Sequence, residues 1–180
     1  IFAEKCYRAC SIPSLGRSWE IREEMVPCRD GVRLRTICYF PEASGPVPLV
    51  FQRLCYPLKE KLMRLHGEEF CKRGIAFVFQ FCRGTGGSEG EWAPNTLYER
   101  TDGIDLIHWL ENLEQVGDIG YWGSSYMAMC GWALMDGLSS RVKTMYLTHY
   151  GTDRYASMYE AGLYPDRPYR KSATTVGDVL

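Results

Sequence analysis

One short stretch of the sequence carries residue types that suit nucleophilic catalysis. Gly123-Ser124-Ser125-Tyr126 lies where an apolar strand pattern changes directly into an apolar helix pattern. A serine on such a sharp turn projects its hydroxyl from the carboxyl edge of a sheet, provided that small residues such as Gly123 and Ala128 flank it. The backbone N–H of Tyr126, in the first turn of the helix, would point at a developing oxyanion. The stretch therefore predicts Ser125 as a nucleophile and Tyr126 as a backbone oxyanion donor.

Two other interpretations of this stretch stay open. The first is that Ser125 caps the following helix, because serine is favoured at a helix N-terminus. The second is that Ser124 is the nucleophile, although no glycine stands two positions before it. Met127 also replaces the second glycine of the usual Gly-x-Ser-x-Gly pattern. The placement between strand and helix favours Ser125 over both alternatives.

A serine hydrolase of this kind needs an acid and then a histidine after the nucleophile. Of the three histidines, His66 and His108 precede the serine and lie in predicted helices, which leaves His149 downstream. Asp136 stands between the serine and His149, but at ~1.5 Å per residue the helix carries it ~16 Å from the turn. We therefore expect that His149 is not the base, since no acid is placed to orient it.

The surrounding sequence alternates apolar strands with amphipathic or apolar helices. Strands are predicted at Trp19–Val26, Val32–Phe40, Val47–Phe51, Ile75–Phe79, Ile119–Trp122 and Val142–Thr148, and helices at Lys59–Lys72, Leu97–Leu113 and Tyr126–Asp136. A hairpin thus precedes a βαβαβαβ order, and continuous apolar strands of this kind form parallel sheets. The sequence predicts an α/β fold, a mostly parallel sheet with helices on both faces that is incomplete at the carboxyl end.

The composition and charge of the chain bear on the kinds of partner that it could bind. The chain has 180 residues, of which 46% are hydrophobic and 24% charged, as in a soluble globular domain. Its net charge is -1, its Lys and Arg residues are scattered, and it has no apolar run long enough to cross a bilayer. We therefore expect neither a nucleic acid nor a membrane as a partner.

The eight cysteines are irregularly spaced, without a Cys-x-x-Cys pair, and several lie inside apolar runs: Cys6, Cys10, Cys28, Cys38, Cys55, Cys71, Cys82 and Cys130. A secreted disulfide scaffold is normally smaller and richer in loops, and metal sites need closer clustering. The pattern therefore predicts buried, reduced thiols in the cytoplasm, with neither a metal nor a cofactor.

Several motifs along the chain resemble those of one family, the cocaine esterase/X-prolyl dipeptidyl-peptidase (CocE/NonD) group of serine α/β-hydrolases. They cover about residues 20–165 in the order of the family: Arg29-Asp30-Gly31, Arg53-Leu54-Cys55-Tyr56, the Phe81–Gly90 loop, the Glu99–Leu110 helix and Gly123-Ser124-Ser125-Tyr126. The resemblance implies that Ser125 is the acylated nucleophile. It also implies that the Tyr56 hydroxyl joins the Tyr126 backbone N–H in the oxyanion hole. The alternative role for Tyr56 is an aromatic side chain that packs after a strand.

The chain departs from the family at two positions in these motifs. Cys55 replaces a proline, which loosens the preceding backbone. Phe81 replaces an aspartate, which removes the carboxylate expected to pair with the arginine of the Gly-rich loop. That loop also suggests a phosphate cradle, but it lacks Gly-Lys-Ser/Thr and no helix begins within it. We therefore interpret Arg83 as a structural brace.

The resemblance implies a serine acyl hydrolase that cleaves a small-molecule ester or a peptide through an acyl-serine intermediate. In the family, the acid and the histidine follow a helical cap, and Tyr155–Tyr169 is similar to the entry of that cap. The resemblance therefore implies that the acid and the base lie beyond Leu180. We therefore divide the chain into a lead-in (1–18), the first part of the hydrolase domain (19–150) and the start of a cap insertion (151–180). Without an acid and a base, the chain alone is expected to be inactive. The alternative is a non-catalytic binding or assembly module on the same scaffold.

Overall fold

Six strands and three α-helices build the part of the chain that the computed structural model describes, residues 14–94 and 96–150. The strands are β1 (Trp19–Pro27), β2 (Arg33–Pro41), β3 (Val47–Leu54), β4 (Ala76–Phe81), β5 (Val116–Ser124) and β6 (Val142–Thr148). The helices are α1 (Glu60–Cys71), α2 (Tyr98–Glu111) and α3 (Tyr126–Trp132), and a 3-10 turn at Pro57–Lys59 leads into α1. The predicted cap segment lies outside the described residues, as do residues 1–13 of the lead-in.

Every predicted element is present, but several have different ends. The chain continues as strand through Gln52 and Arg53 in β3 and through Gln80 in β4, although polar residues interrupt the apolar pattern there. These side chains are buried: Arg53 Nε donates to Gln80 Oε1 at 3.0 Å, and Gln52 Nε2 donates to the Trp122 carbonyl in β5 at 2.8 Å. In contrast, α3 ends at Trp132, four residues before the predicted end, and the chain continues in turns.

The strand order in the sheet is β1-β2-β4-β3-β5-β6. The pairs β1/β2 and β2/β4 are antiparallel, whereas β4/β3, β3/β5 and β5/β6 are parallel. The predicted class, an α/β fold with a mostly parallel sheet, is confirmed. Because β4, β3, β5 and β6 are parallel, their carboxyl ends lie at one edge, where ligands bind in open α/β sheets.

Helices cover both faces of the sheet. Alternate residues of β4 point to opposite faces, so Ala76 and Val78 join one apolar core and Phe77 joins the other. Helix α1 packs on the face of Phe77 through Met63, whereas α2 and α3 pack on the opposite face. None of the described helices is both long enough and apolar enough to span a bilayer.

Candidate active site

Ser125 occupies the strained turn between β5 and α3. Its φ of 59° and ψ of -128° lie in a region that costs an ordinary side chain about 1–3 kcal/mol. The turn is held by its neighbours: the Ser125 N–H donates to the Thr148 carbonyl at 2.9 Å, and the Ser125 carbonyl accepts from the N–H of Ala128 at 2.9 Å. The Ser125 side chain is exposed and makes no cap hydrogen bond to the helix, which argues against the capping interpretation.

Gly123 allows this turn to close. A Cβ atom at Gly123 would lie 2.4 Å from the carbonyl oxygen of Met127 in the first turn of α3. No real Cβ approaches backbone so closely, so the helix and the strand pack against each other only with glycine at this position. The predicted need for a small residue two positions before Ser125 thus has a specific physical cause.

Tyr56 follows β3 and reaches the same edge of the sheet. Its half-buried side chain packs against the core, and its hydroxyl lies close enough to the Ser125 side chain for that neighbour to lower the pKa of Tyr56 slightly. Burial is the main cause that raises the pKa of Tyr56 to about 12, and the neighbouring Cys55 thiol adds to the effect. The phenol therefore stays protonated at neutral pH and is available as a hydrogen-bond donor beside Ser125. The structure brings these two residues together although they are distant in sequence.

Tyr126 is the first residue of α3, where the helix offers no intrahelical acceptor for the backbone N–H. Its side chain is buried, with its ring centroid 5.3 Å from that of Trp92. Its hydroxyl donates a hydrogen bond to Oε1 of Glu99 in α2. The sequence indicated the backbone role of Tyr126 but not these side-chain contacts.

His149 contacts Ser124 and not Ser125. Its Nδ1 lies 3.1 Å from Ser124 Oγ, just beyond the end of β6. His149 has a φ of 58°, and it and Ser125 are the non-glycine residues with positive φ in the described ranges. Asp136 is paired instead with Arg100 on the surface, with Nε and Oδ1 2.8 Å apart. Ser125, Asp136 and His149 therefore do not form a triad here.

The two other histidines lie within helices, as predicted. The His66 ring lies edge-on to Trp122, with centroids 4.9 Å apart, and burial lowers the pKa of His66. His108 is exposed on α2.

A buried ionic network connects the motifs beneath this edge of the sheet. Asp102 accepts hydrogen bonds from Arg83 at 2.7 and 2.8 Å, and Arg53 lies 3.4 Å from the same carboxylate. The second partner of Arg83 is Asp30, with Nη1 and Oδ2 2.7 Å apart. The network thus joins the Arg-Asp-Gly turn, the end of β3, the Gly-rich loop and α2.

The partners of Arg83 decide between the two interpretations of the Gly-rich loop. The hydrogen bond to Asp102 is the main cause that raises the pKa of Arg83, and the pair with Asp30 adds to it. Two carboxylates thus engage this guanidinium, which fits a brace and not a phosphate ligand. Arg83 therefore does not need an aspartate at position 81. The expected loss of an Asp–Arg pair does not occur, because Asp102 and Asp30 pair with Arg83 instead. Phe81 is itself buried, with the Arg35 guanidinium 5.4 Å above its ring.

Three buried thiols lie near this network. Cys55 precedes Tyr56, and Cys82 and Cys130 interact by a hydrogen bond that lowers the pKa of Cys82. All six cysteines of the described ranges are free and buried, as predicted for them, while Cys6 and Cys10 lie outside those ranges. Within residues 14–94 and 96–150, no group of three or more His, Cys, Asp or Glu residues is arranged to hold a metal ion.

Comparison with known proteins identifies a family and several relatives of this chain. Residues 30–176 match the family model of X-Pro dipeptidyl-peptidase (S15 family). A curated relative, the cocaine esterase of Rhodococcus sp. (strain MB1 Bresler), is 37% identical over 115 residues. The match covers 60% of this chain and 20% of the esterase, so the chain spans about a fifth of that relative.

Solved structures show the same fold. An aminopeptidase from a marine sediment Thaumarchaeota archaeon is 26% identical with a TM-score of 0.61, covering 71% of this chain and 24% of that one. An α-amino acid ester hydrolase is 28% identical with a TM-score of 0.62, covering 74% and 25% respectively. A CocE/NonD family hydrolase from Staphylococcus aureus has a TM-score of 0.75 at 20% identity, covering 89% and 33%, and supports the fold alone.

Proposed function

Because the chain belongs to the X-Pro dipeptidyl-peptidase (S15) family, a family of hydrolases, we propose that it carries the nucleophile of a serine acyl hydrolase. The enzyme cleaves an ester or an amide through an acyl-serine intermediate. The observation that carries this proposal is the exposed Ser125 side chain on its strained turn, with the protonated Tyr56 hydroxyl beside it.

In the proposed reaction, Ser125 Oγ attacks the substrate carbonyl carbon and its proton passes to a general base. The carbonyl electron pair moves to the oxygen, and the Tyr56 hydroxyl and the Tyr126 backbone N–H donate hydrogen bonds to that oxyanion. Collapse of the intermediate expels the alcohol or the amine and leaves the acyl group on Ser125. Water then releases the acid. Donors already in place favour the transition state over the ground state, because the charge on the oxygen develops only there.

We place the base and its acid outside the described residues. Within residues 14–94 and 96–150, His149 bonds to Ser124 and Asp136 pairs with Arg100, so neither serves Ser125. The family resemblance places an acid and a histidine after a cap, and the chain spans only about a fifth of its curated relative.

The substrate that we propose is a small ester or a peptide. Names among the relatives include a cocaine esterase, an aminopeptidase and an α-amino acid ester hydrolase, so both bond types occur among them. The near-neutral net charge of -1 favours neither a nucleic acid nor a membrane as a partner. The free, buried thiols favour a reducing compartment such as the cytoplasm.

A fluorophosphonate probe tests the nucleophile in the protein at its full natural length. The probe should label the wild type at Ser125, and Ser125→Ala should abolish labelling. The matched control is Ser124→Ala, which removes a neighbouring hydroxyl and its contact with His149 and should keep labelling. Labelling that persists in Ser125→Ala, or that disappears only in Ser124→Ala, contradicts the assignment.

The alternative is a non-catalytic binding module on the same scaffold. The contact of His149 with Ser124, in place of Ser125, is the observation that favours it. A folded, full-length wild type that the probe does not label would support this second function.

A further inference from the structure

The side chain of Tyr126 links the turn of Ser125 to α2. Its hydroxyl donates to Glu99 Oε1, and its ring contacts Trp92 on the way. Both Tyr126 and Glu99 are buried, with exposed fractions of 9% and 3%. A carboxylate is seldom buried to this extent without partners, so this contact calls for an explanation.

Glu99 is itself held in place. Its Oε2 accepts from the Thr96 N–H at 3.2 Å and from Thr96 Oγ1 at 3.3 Å, which leaves Oε1 directed at Tyr126. Its backbone carbonyl accepts from Arg53 Nη1 at 2.6 Å. Glu99 also lies in the first turn of α2, where the helix dipole favours a negative charge. The carboxylate is therefore a fixed point to which the Tyr126 side chain is tied.

The turn at Ser125 needs such fixed points because its backbone is strained and α3 has only seven residues. Three side chains hold the turn from different directions. Gln52 donates to the Trp122 carbonyl at 2.8 Å, Tyr121 donates to the Met127 carbonyl at 2.6 Å, and Tyr126 donates to Glu99. The bond to Glu99 has a carboxylate acceptor, and charge-assisted hydrogen bonds are roughly twice as strong as neutral ones.

We propose that Glu99 is a positioning residue for acylation: by holding the Tyr126 side chain, it fixes the Tyr126 backbone N–H toward the oxyanion. This inference rests on the proposed function, since it needs Ser125 as the nucleophile. Glu99 does not touch the substrate carbonyl, and its effect passes through Tyr126. Oxyanion donors act by preorganisation, so a small displacement of that N–H slows the step without weakening ground-state binding.

The experiment measures fluorophosphonate modification of Ser125 in the full-length protein, resolved into a maximal rate and a half-saturating probe concentration. The variants are Tyr126→Phe, which removes only the hydroxyl, Glu99→Ala, and the double variant. Each single variant should lower the maximal rate about 10- to 100-fold and leave half-saturation within about threefold. The double variant should be no slower than the slower single, because both changes break one link.

Glu99→Gln provides the conservative rescue. Its amide can accept from Thr96 and donate to the Tyr126 hydroxyl, so the link persists and the maximal rate should stay within about threefold of the wild type. The matched control is Tyr39→Phe, which removes the hydroxyl of another buried tyrosine in β2 and should leave the rate unchanged.

The outcomes separate the two proposals. If wild-type Ser125 is labelled but Tyr126→Phe reacts at the wild-type rate, the role of Glu99 is overturned and the nucleophile stands. Multiplicative losses in the double variant, or a Glu99→Gln variant as slow as Glu99→Ala, also overturn positioning through Tyr126. If wild-type Ser125 is not labelled, the proposed function fails, and this inference fails with it.

Discussion

At the scale of single residues, burial decides what Tyr56 can do beside Ser125. A phenol in water begins to lose its proton near pH 10, but desolvation raises the pKa of Tyr56 to about 12. The hydroxyl is thus a donor throughout the neutral and mildly alkaline range. The Lys59 ammonium lies 4.6 Å from the centroid of the Tyr56 ring, so this cation–π contact is made to the ring.

Tyr56→Phe should therefore lower kcat about 100-fold or more and change KM little, because it removes the proposed oxyanion donor. The wild-type rate should show no alkaline loss from Tyr56 below about pH 11, since the phenol is still protonated there. Steady-state kinetics of the full-length enzyme on a 4-nitrophenyl ester measures both effects. Tyr146→Phe, on an exposed tyrosine of β6, is the control. A Tyr56→Phe enzyme with wild-type kcat contradicts the assignment.

At the scale of elements, the junction of β5 and α3 depends on Gly123. Gly123→Ala places a methyl group 2.4 Å from the Met127 carbonyl oxygen, so strand and helix must separate. We expect a loss of about 3 kcal/mol in the free energy of unfolding, or a displaced turn that the fluorophosphonate no longer labels. Urea unfolding followed by circular dichroism measures the first effect.

Gly45 provides the matched control for that substitution. A Cβ at Gly45 meets nothing within 4 Å, so Gly45→Ala should leave both stability and labelling near the wild-type values. Equal effects of the two substitutions would show that contact with Met127 is not the cause.

The sequence predicted the type and order of the elements well, because apolar periodicity is a local signal. It misplaced the end of β3 since Gln52 and Arg53 are polar, and their burial depends on partners in β4, β5 and α2. The position of β4 between β2 and β3 could not be predicted, because strand order depends on packing between distant segments.

The residues of the candidate site can also be separated into those that the sequence predicted and those that it did not. Ser125 and Tyr126 were identified from a local pattern, and Tyr56 from the family resemblance. The partners Glu99 and Asp102 were missed. One signal was present: both acids lie on the buried side of α2, three residues apart and close to Ile104 and Leu106. Carboxylates on an apolar helix face indicate buried partners, but not which arginine or tyrosine supplies them.

At the scale of the whole molecule, the Asp102 carboxylate connects motifs that are distant in sequence, through Arg53 and Arg83. It neutralises Arg83 and faces Arg53, and all three side chains are buried. Asp102→Ala should lower the free energy of unfolding by about 3–5 kcal/mol, because it leaves buried guanidinium charge uncompensated. Chemical denaturation measures this loss. Asp136→Ala removes the acid of an exposed pair with Arg100 and should have little effect. Similar losses for both would contradict a central role for the network.

The buried thiols predict how stability changes with pH. Burial raises the pKa of Cys38 to about 12 from 9.0, so the folded protein keeps this proton where the unfolded chain loses it. The unfolded state binds fewer protons above pH 9, and stability therefore falls as pH rises from 9 toward 12. The pKa values of Cys28, Cys55 and Cys71 are also raised to about 12 and act in the same direction.

Cys38→Ala should reduce the loss of stability between pH 8 and pH 10 by about 1 kcal/mol. Urea unfolding at both pH values measures the difference. Val78→Ala, at the residue paired with Cys38 across β2 and β4, removes apolar volume without a titrating group. It should lower stability equally at both pH values. An unchanged pH dependence in Cys38→Ala contradicts the thiol explanation.

The central place of β3 has a consequence for synthesis on the ribosome. β3 pairs with β4 on one side and with β5 on the other, and the latter pairing joins residues about seventy positions apart. A nascent chain that ends before β5 leaves one edge of β3 open, a surface that invites aggregation and the help of chaperones. The turn of Ser125 forms at the carboxyl end of that late strand. A reactive Ser125 would therefore also report that the centre of the sheet has closed.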